Sequence, residues 1–340
     1  MNQLKYNYVF LNSTESYDLN ENRNMYCAIC TRDLESFDGA TVVTYPYDYS
    51  NKVVQALFFL HNSNRINRRI YLPLKSLWYP GYFKNEFKDD KPLCFILLNR
   101  FWFPPEYFKW LKKKYPDAKF VLLLRDLMKI SDNPFSKRFV GNPLFDLQMT
   151  IDRDEAKQYG MVYFDEYESK IDVPIAKDYP ISDVFFAGKV KDRMEKLMTA
   201  YDIFTKAGLK CEFYLTGTPE DQKKPLEGVT YAEKSMPYID MLYKTVNTRC
   251  VLEFNQEGAL GFTSRFLEAV MYNKLLITDN PAVKDTKFYD PSRILCVEKA
   301  SDIDPFFVLK NADNIDYHYN GEFSPLRLLE QIDKELTNNG

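Results

Sequence analysis

Short apolar runs alternate with helical patterns along most of this chain. The runs are "MYCAIC", "ATVVTYP", "LCFILLN" and "KFVLLLRD" in the first half, and "DVFFAG", "CEFYLTG", "CVLEFNQ" and "ILCVE" in the second. Each is rich in β-forming residues and has the length of one strand. Helical patterns such as "PPEYFKWLKKKYPDA" and "VKDRMEKLMTAYDIFTKAG" lie between them. Strands that are apolar on both faces and separated by helices indicate an α/β protein with parallel sheets covered on both sides.

The length of 340 residues and one irregular segment predict two doubly wound domains. The segment "DEYESKIDVPIAKDYPIS" is polar, contains two prolines and has no clear period, which is typical of a linker. Ser324 and Pro325 fit the N-cap and first turn of a last helix. The predicted units are an N-terminal domain at 1–165, a linker at 166–181, a second domain at 182–322, and a C-terminal helix at 323–340 that crosses back to the first domain.

Composition excludes several classes of protein. The net charge of -3 argues against a nucleic-acid binder, because there is no basic excess to neutralise phosphates. No apolar run is long enough to span a bilayer, and the start "MNQLKYNYVFLNSTE" lacks the features of a secretory signal. We therefore expect a cytoplasmic protein.

Cysteine and histidine usage indicates neither a zinc site nor a histidine-based catalytic site. Cys27 and Cys30 form a lone C-x-x-C without a second pair, and "MYCAIC" is interpreted as a buried strand that uses both thiols as small apolar groups. His61 and His318 lie far apart in the sequence and outside any catalytic motif.

Ligands of doubly wound sheets bind beyond the carboxyl ends of the strands, so candidate site residues are sought there. In "GFTSRFLEAV", Thr263 or Ser264 fits an N-cap, but Arg265 follows where a helix favours negative charge. An anion would reverse that penalty, because free N–H groups, two hydroxyls and a guanidinium would converge on a phosphate. The alternative is an exposed i,i+3 ion pair of Arg265 with Glu268, since both lie off the apolar stripe of the helix. The glycines before this helix, Gly258 and Gly261, would let the backbone approach a ligand closely.

A second basic helix start follows Gly188. Lys189, Lys191 and Arg193 come directly after the strand "DVFFAG". A solvated basic loop explains them alone, but two basic helix starts in one domain indicate a diphosphate site. The motifs G-x-x-x-x-G-K-[ST] and G-x-G-x-x-G are absent, so neither a P-loop nor a dinucleotide fingerprint is predicted.

Two features of the first half also have alternative interpretations. Asp126 follows the strand in "KFVLLLRD" and could be a general base, whereas Arg125 and Lys129 nearby would also make it a structural ion-pair partner. The helix "PPEYFKWLKKKY" is interpreted as covering the sheet with a solvated lysine face, and its aromatic residues also fit an interfacial helix.

With these residues in place, the chain resembles bacterial glycosyltransferases of the GT-B fold, in the group that builds capsular polysaccharide, exopolysaccharide and lipopolysaccharide. The resemblance rests on "GFTSRFLEAV", "NKLLITDN" and "FYDP", and more weakly on "FDLQMTIDRDEAKQYG" and "DVFFAGKVKDR". It implies two Rossmann-like domains facing a central cleft, with a nucleotide sugar bound by the second domain and a glycan acceptor by the first. Leu260 stands eight residues before Glu268, where many retaining enzymes of this fold have a first glutamate, so inversion and retention both remain open.

The resemblance also implies roles for individual residues. Gly188, Lys189, Arg193, Thr263, Ser264 and Arg265 would hold the donor diphosphate, Glu268 would bind the ribose, and Asp126 would be the base of an inverting reaction. No cofactor and no metal are implied, and the acceptor would be lipid-linked, with peripheral contact to the inner face of the cell membrane and no nucleic acid bound. Three alternatives remain: a polyol-phosphate transferase or sugar-nucleotide epimerase of similar fold, a non-catalytic partner of another transferase, and a nucleotide-dependent oxidoreductase.

Overall fold

Two six-stranded parallel sheets form the framework of the protein, described here from a computed structural model. The structure describes residues 4–12, 25–44, 50–67, 69–70, 72–98, 105–125, 139–257, 261–311 and 314–338. The first sheet has the spatial order β2-β1-β3-β4-β5-β6. Its strands are β1 (Asn7–Asn12), β2 (Ala40–Thr44), β3 (Leu93–Leu98), β4 (Lys119–Leu124), β5 (Leu147–Thr150) and β6 (Val162–Tyr163).

The second sheet has the order β12-β11-β10-β7-β8-β9. Its strands are β7 (Ser182–Lys189), β8 (Cys211–Thr216), β9 (Val229–Ala232), β10 (Thr248–Glu253), β11 (Leu275–Thr278) and β12 (Ile294–Cys296). The chain builds outward from β7 in one direction and from β10 in the other, so the two strands meet at a topological switch point. Crevices at the carboxyl ends of such strands are where open α/β sheets bind ligands.

Helices cover the faces of both sheets. They are α1 (Met25–Cys30), α2 (Lys52–Asn62), α3 (Asn64–Asn67), α4 (Pro105–Lys114), α5 (Arg153–Tyr159), α6 (Met194–Lys206), α7 (Tyr238–Val246), α8 (Ser264–Met271), α9 (Phe306–Asn311) and α10 (Pro325–Asn338). Short 3-10 turns lie at Arg32–Ser36, Lys75–Leu77, Tyr79–Gly81, Glu220–Gln222, Pro281–Asp285 and Ala300–Asp302. Within the described residues, no helix is both long and apolar enough to cross a membrane.

The central strands are buried on both faces, as the sequence predicts. Every residue of β3 is buried, and its side chains alternate between two clusters: Phe95 and Leu97 on one face, Cys94 and Ile96 on the other. The aromatic helix α4 covers the first of these faces with Tyr107, Phe108 and Leu111, which confirms its interpretation as a helix that covers the sheet. Continuous apolar runs are therefore the correct pattern for these strands.

The C-terminal helix packs on the first sheet although it follows the second in sequence. Leu329, Ile332 and Leu336 of α10 join the buried cluster that contains Tyr8 of β1. The hydroxyl of Tyr8 donates to Asp333 Oδ1 at 2.7 Å. An apolar stripe along α10 thus ties the end of the chain to the first domain.

Residues 25–30 are helical, so the prediction of a strand for "MYCAIC" is wrong. The segment forms α1, and its last turn lies between the two domains: Cys30 packs with the first sheet, and Ile29 packs with Tyr238 and Leu242 of α7. A six-residue apolar run carries no period that separates strand from helix, so packing decides. The strand between β2 and β3 is instead β1, whose sequence "NYVFLN" the strand prediction missed.

The connection between the sheets is partly buried rather than a solvated linker. Glu166, Glu168 and Ser169 are all buried, and the backbone N–H of Glu168 donates to Phe323 O at 2.8 Å. The Ser169 hydroxyl contacts Cys30 O at 3.2 Å and accepts from Asp33 N at 2.9 Å. The polar composition of this segment reflects hydrogen bonds at the domain interface as much as solvent contact.

Candidate functional site

The two basic helix starts meet at the switch point of the second sheet. Gly188 and Lys189 end β7, and Glu253 ends the neighbouring β10. The helix α6 starts after Arg193, and α8 starts after Thr263, so both helix N-termini open at the same edge. The sheet topology therefore places 188–193 next to 263–265, which lie far apart in sequence.

Arg265 lies across the end of β7. Its Nη2 donates to Ala187 O at 2.5 Å, and its Nη1 lies 3.0 Å from Ser264 Oγ and 3.2 Å from Glu268 Oε1. The side chain is 17% exposed, and its Nε is buried with no hydrogen-bond partner among the described residues. A guanidinium has five donors, so Arg265 retains hydrogen-bonding capacity for a ligand.

Arg193 bridges the two central strands. Its Nη1 donates to Phe254 O at 2.6 Å just beyond β10, and its Nη2 donates to Lys189 O at the end of β7. Burial lowers the pKa of Arg193, and the nearby guanidinium of Arg265 lowers it further. Two adjacent guanidiniums repel each other, and a bound anion between them would remove that cost.

Thr263 is the N-cap of α8, as expected from the sequence. Its Oγ1 accepts from the N–H of Arg265 at 3.1 Å and also contacts the buried carboxylate of Glu253. Glu253 accepts a further hydrogen bond from Thr278 Oγ1 at 2.5 Å, and burial raises its pKa. Sequence reasoning missed Glu253, although a carboxylate inside the apolar run "CVLEF" was a visible signal.

Glu268 is fully buried, so the interpretation of the Arg265–Glu268 contact as an exposed ion pair is wrong. Helix α8 is covered on nearly all sides, and its residues 266–271 are all buried. The carboxylate lies 3.2 Å from Tyr238 Oη and accepts from Thr245 Oγ1 at 3.3 Å. A ribose diol would reach Glu268 only after a movement of Arg265 or Tyr238, and in this structure Glu268 holds Arg265 in place.

A second buried carboxylate shares the tyrosine. Tyr238 Oη contacts Oε1 of Glu168 as well as Oε1 of Glu268. A hydroxyl has one proton, so it donates to only one carboxylate, and the other contact is a hydrogen bond only if that carboxyl is protonated. Burial raises the pKa of Glu168 well above its usual value, and the charge of Glu268 raises it further. Burial also raises the pKa of Glu268, so both carboxyls are shifted toward the protonated form. Through Tyr238, the interdomain segment contacts the carboxylate that binds Arg265.

The remaining predicted site residues are Gly188, Lys189, Gly258, Gly261 and Asp126. Lys189 is exposed at the end of β7, and Gly188 lies beside Arg193 without needing a glycine-specific conformation. Gly261 approaches the first domain: a Cβ there would lie 3.0 Å from Ile151 O, so its close approach is to protein backbone. Gly258 and Asp126 lie outside the described residues.

Arg125 pairs with the segment that connects the two sheets. Its Nε donates to Glu166 Oε1 at 2.7 Å, and its Nη2 donates to Tyr26 Oη at 2.9 Å. The guanidinium also lies over the ring of Tyr167, 4.4 Å from the centroid. The basic residue of "LLLRD" thus has a structural ion pair, and its partner Glu166 belongs to the connecting segment.

A cavity of about 270 Å³ lies between the domains beside the start of α8. It is lined by Arg153 and Asp165 of the first half and by Phe262, Phe266 and Asp285 of the second. Within the described residues, no three His, Cys, Asp or Glu side chains are grouped as around a metal ion.

Solved structures share this architecture. A putative UDP-N-acetylglucosamine 2-epimerase from Listeria monocytogenes matches 98% of this chain and 97% of its own, with a TM-score of 0.51 and 10% identity. An alpha-glucosyltransferase in complex with UDP and a 13-mer DNA containing a central A:G mismatch matches 97% of this chain and 100% of its own, with a TM-score of 0.50 and 10% identity. No protein-family model and no curated protein matches the sequence. The chain has a GT-B-like fold: two Rossmann-like, doubly wound parallel-sheet domains that face a central cleft.

Proposed function

We propose that this protein is a glycosyltransferase that moves a sugar from a nucleotide-sugar donor to a glycan acceptor. The observation that carries the proposal is the meeting of Arg193 and Arg265 with two helix N-termini at the switch point of the second sheet. Helix N-termini and guanidiniums both bind phosphate oxygens. The two solved structures of similar fold support the choice of ligand, since UDP appears in the names of both.

In the proposed reaction the bond between the anomeric carbon and the donor phosphate breaks while the acceptor oxygen bonds to that carbon. The nucleoside diphosphate leaves with added negative charge. Arg265, Arg193 and Lys189, with Ser264 and the N–H groups after Thr263, would stabilise that charge from fixed positions. The leaving group is thereby neutralised by this chain's own cations, and we expect full activity in the presence of a chelator.

Two further roles remain proposals. Glu268 would bind the ribose once Tyr238 moves away from it, because this carboxylate is buried in the present structure. Asp126 would take the acceptor proton in an inverting reaction. The acceptor is proposed to enter near the interdomain cavity, where Arg153, Asp165 and Asp285 offer hydrogen-bonding groups.

The biological setting follows from the sequence resemblance. We propose surface polysaccharide synthesis on a lipid-linked acceptor, in the cytoplasm and in peripheral contact with the inner face of the cell membrane. The motifs "GFTSRFLEAV" and "NKLLITDN" support this assignment.

Epimerisation of a sugar nucleotide is the second candidate, favoured by the likeness to the Listeria monocytogenes protein. It would use the same phosphate contacts. The two reactions differ in product: a transferase releases nucleoside diphosphate and gives a glycosylated acceptor, whereas an epimerase changes the stereochemistry of the sugar and needs no acceptor.

The deciding experiment is a thermal-shift screen of nucleoside diphosphates and nucleotide sugars, followed by product analysis. Specific binding at a hundredfold excess over Kd stabilises the protein by about 2.7 kcal/mol. The hits are then incubated with and without mixed glycan acceptors, and products are identified by mass spectrometry and NMR. If no nucleotide raises the melting temperature of the protein, the donor site is ruled out.

A further inference from the structure

Helix α2 and the turn after it expose an unusual number of large apolar side chains. Val53, Leu57 and Leu60 lie within about 60° of one another on α2 by the helical period, and Leu57 and Leu60 are 53% and 54% exposed. Among the described side chains of this helix only Phe58 is buried, so most of the apolar surface of α2 faces solvent rather than the core.

The segment after α3 extends this surface. Leu74 and Leu77 are 68% and 72% exposed, and Ile70 is 68% exposed. Leu74 has a φ of 62°, a left-handed conformation that a leucine seldom adopts, and it projects into solvent. An exposed leucine held in a disfavoured conformation gains nothing from packing within this chain.

His61 joins the two parts. Its Nδ1 accepts from Trp78 Nε1 at 2.8 Å, and its Nε2 lies 2.5 Å from Pro73 O. The ammonium of Lys75 donates to His61 O at 3.0 Å. The end of α2 and residues 73–78 therefore form one surface, and Arg65, Arg69 and Ile70 lie on the short segment between them. We call the exposed residues of this surface the apolar–basic patch; they are Lys52, Val53, Leu57, Leu60, Arg65, Arg69, Ile70, Leu74 and Leu77.

Positive charge predominates in this region. Residues 49–85 contain no Asp or Glu, and their basic residues are Lys52, Arg65, Arg68, Arg69, Lys75 and Lys84. Lys52, Arg65 and Arg69 are exposed and form no ion pair with any described residue. The neighbouring helix α4, whose Trp110 packs on Tyr79, adds four lysines, Lys109 and Lys112–Lys114, against one carboxylate, Glu106, whose charge acts on Lys75.

We propose that the apolar–basic patch docks the protein on a membrane surface that contains anionic lipid. Aliphatic side chains would enter the acyl–headgroup boundary while the surrounding Lys and Arg bind the negatively charged headgroups. This inference gives the membrane contact of the proposed function a specific surface, and its test does not depend on transferase activity.

Two other occupants fit less well. A second copy of the chain would bring two surfaces of the same positive sign together, which opposes association. A bound peptide helix needs a groove, whereas these leucines project from a helix and a turn.

The experiment is co-sedimentation of the full chain with vesicles of phosphatidylcholine and phosphatidylglycerol in equal parts, and with phosphatidylcholine alone. We expect binding to the mixed vesicles only, weakening as salt rises. Leu57→Gln with Leu60→Gln should weaken it by at least about tenfold. Arg65→Gln with Arg69→Gln should weaken it on the order of twentyfold at low salt.

Matched controls lie outside the patch. Ile175→Gln changes an equally exposed aliphatic residue, and Lys206→Gln with Lys224→Gln removes two exposed cations of the second domain. These variants should bind vesicles as the parent does, and every variant should keep the parent's nucleotide affinity. If the parent binds vesicles but no nucleotide, the proposed function is overturned and the docking proposal is not.

Three results would overturn the docking proposal: no sedimentation of the parent with anionic vesicles, equal sedimentation of parent and patch variants, or a dimer in light scattering that only the leucine variant abolishes. The last would assign the patch to a second copy of the chain.

Discussion

The cleft at the switch point of the second sheet and the apolar–basic patch of the first domain both contain arginines, but these arginines have different surroundings. In the cleft, Arg193 and Arg265 are fixed by carbonyl oxygens and by the buried Glu268. On the patch, Arg65 and Arg69 are exposed and unpaired within the described chain. Guanidiniums held by several hydrogen bonds favour one anion geometry, whereas exposed and unpaired ones attract any anionic surface. The surroundings of an arginine therefore indicate its role better than its presence does.

The largest effect should come from Arg265→Ala. We expect UDP or the best nucleotide from the screen to bind about a hundredfold more weakly, since charge-assisted hydrogen bonds contribute about 1.5–3 kcal/mol each. Isothermal titration calorimetry measures it, with Arg249→Ala at the opposite end of β10 as the control. If Arg65→Ala on the patch weakens nucleotide binding as much as Arg265→Ala does, the contrast between the two regions is wrong.

Arg193→Ala should weaken binding of the same nucleotide by about tenfold, the loss expected for one charge-assisted hydrogen bond. Arg193→Lys keeps the charge but not the hydrogen bonds to both strands. Its nucleotide affinity should therefore lie between those of the parent and Arg193→Ala. Binding that is unchanged in both variants would remove Arg193 from the donor site.

Glu168→Gln should change how stability depends on pH. The folded protein raises the pKa of Glu168 above its usual 4.5, so folding holds this proton, and the parent loses stability relative to the variant as pH rises through the raised pKa. We expect a difference of about 1 kcal/mol per pH unit, below the limit of about 1.4 for one proton. Urea unfolding at several pH values measures it, with the exposed Glu298→Gln as control. Parallel curves for parent and Glu168→Gln would contradict the raised pKa of Glu168.

The smallest effect should be that of Leu57→Gln on folding stability. Because this leucine is exposed, we expect a change within about 0.5 kcal/mol. Leu329→Ala in α10, where the side chain is fully buried, should cost about 2–5 kcal/mol. Thermal unfolding of both variants compares them, and a large loss for Leu57→Gln would show that the patch belongs to the core.

Much of the framework follows from sequence alone. The runs at β3, β4, β7, β8 and β10 were recognisable as strands because both faces of a central parallel strand are apolar. An N-cap at Thr263 or Ser264 was also predicted, and the structure places it at Thr263. These features depend on the pattern of residues close together in the chain, which can be read directly from the sequence.

Other features depended on distant partners. The run "MYCAIC" became a helix because it packs between the two domains, and its six residues had no period to show it. Glu268 lies off the apolar stripe of α8, and yet Tyr238, Thr245 and Arg265 bury it. Glu168 belongs to a segment predicted only as a polar linker, and the structure places its side chain against Tyr238.

The sequence by itself thus determined that this protein has two parallel-sheet domains with basic residues where two helices begin. Only the tertiary structure decided that those helix starts adjoin, that Glu253, Glu168 and Glu268 lie buried behind them, and that the leucines of α2 face solvent. The physical reason is that a helix or strand pattern records which side of an element is apolar, whereas burial of a charge depends on what a remote part of the chain brings against it.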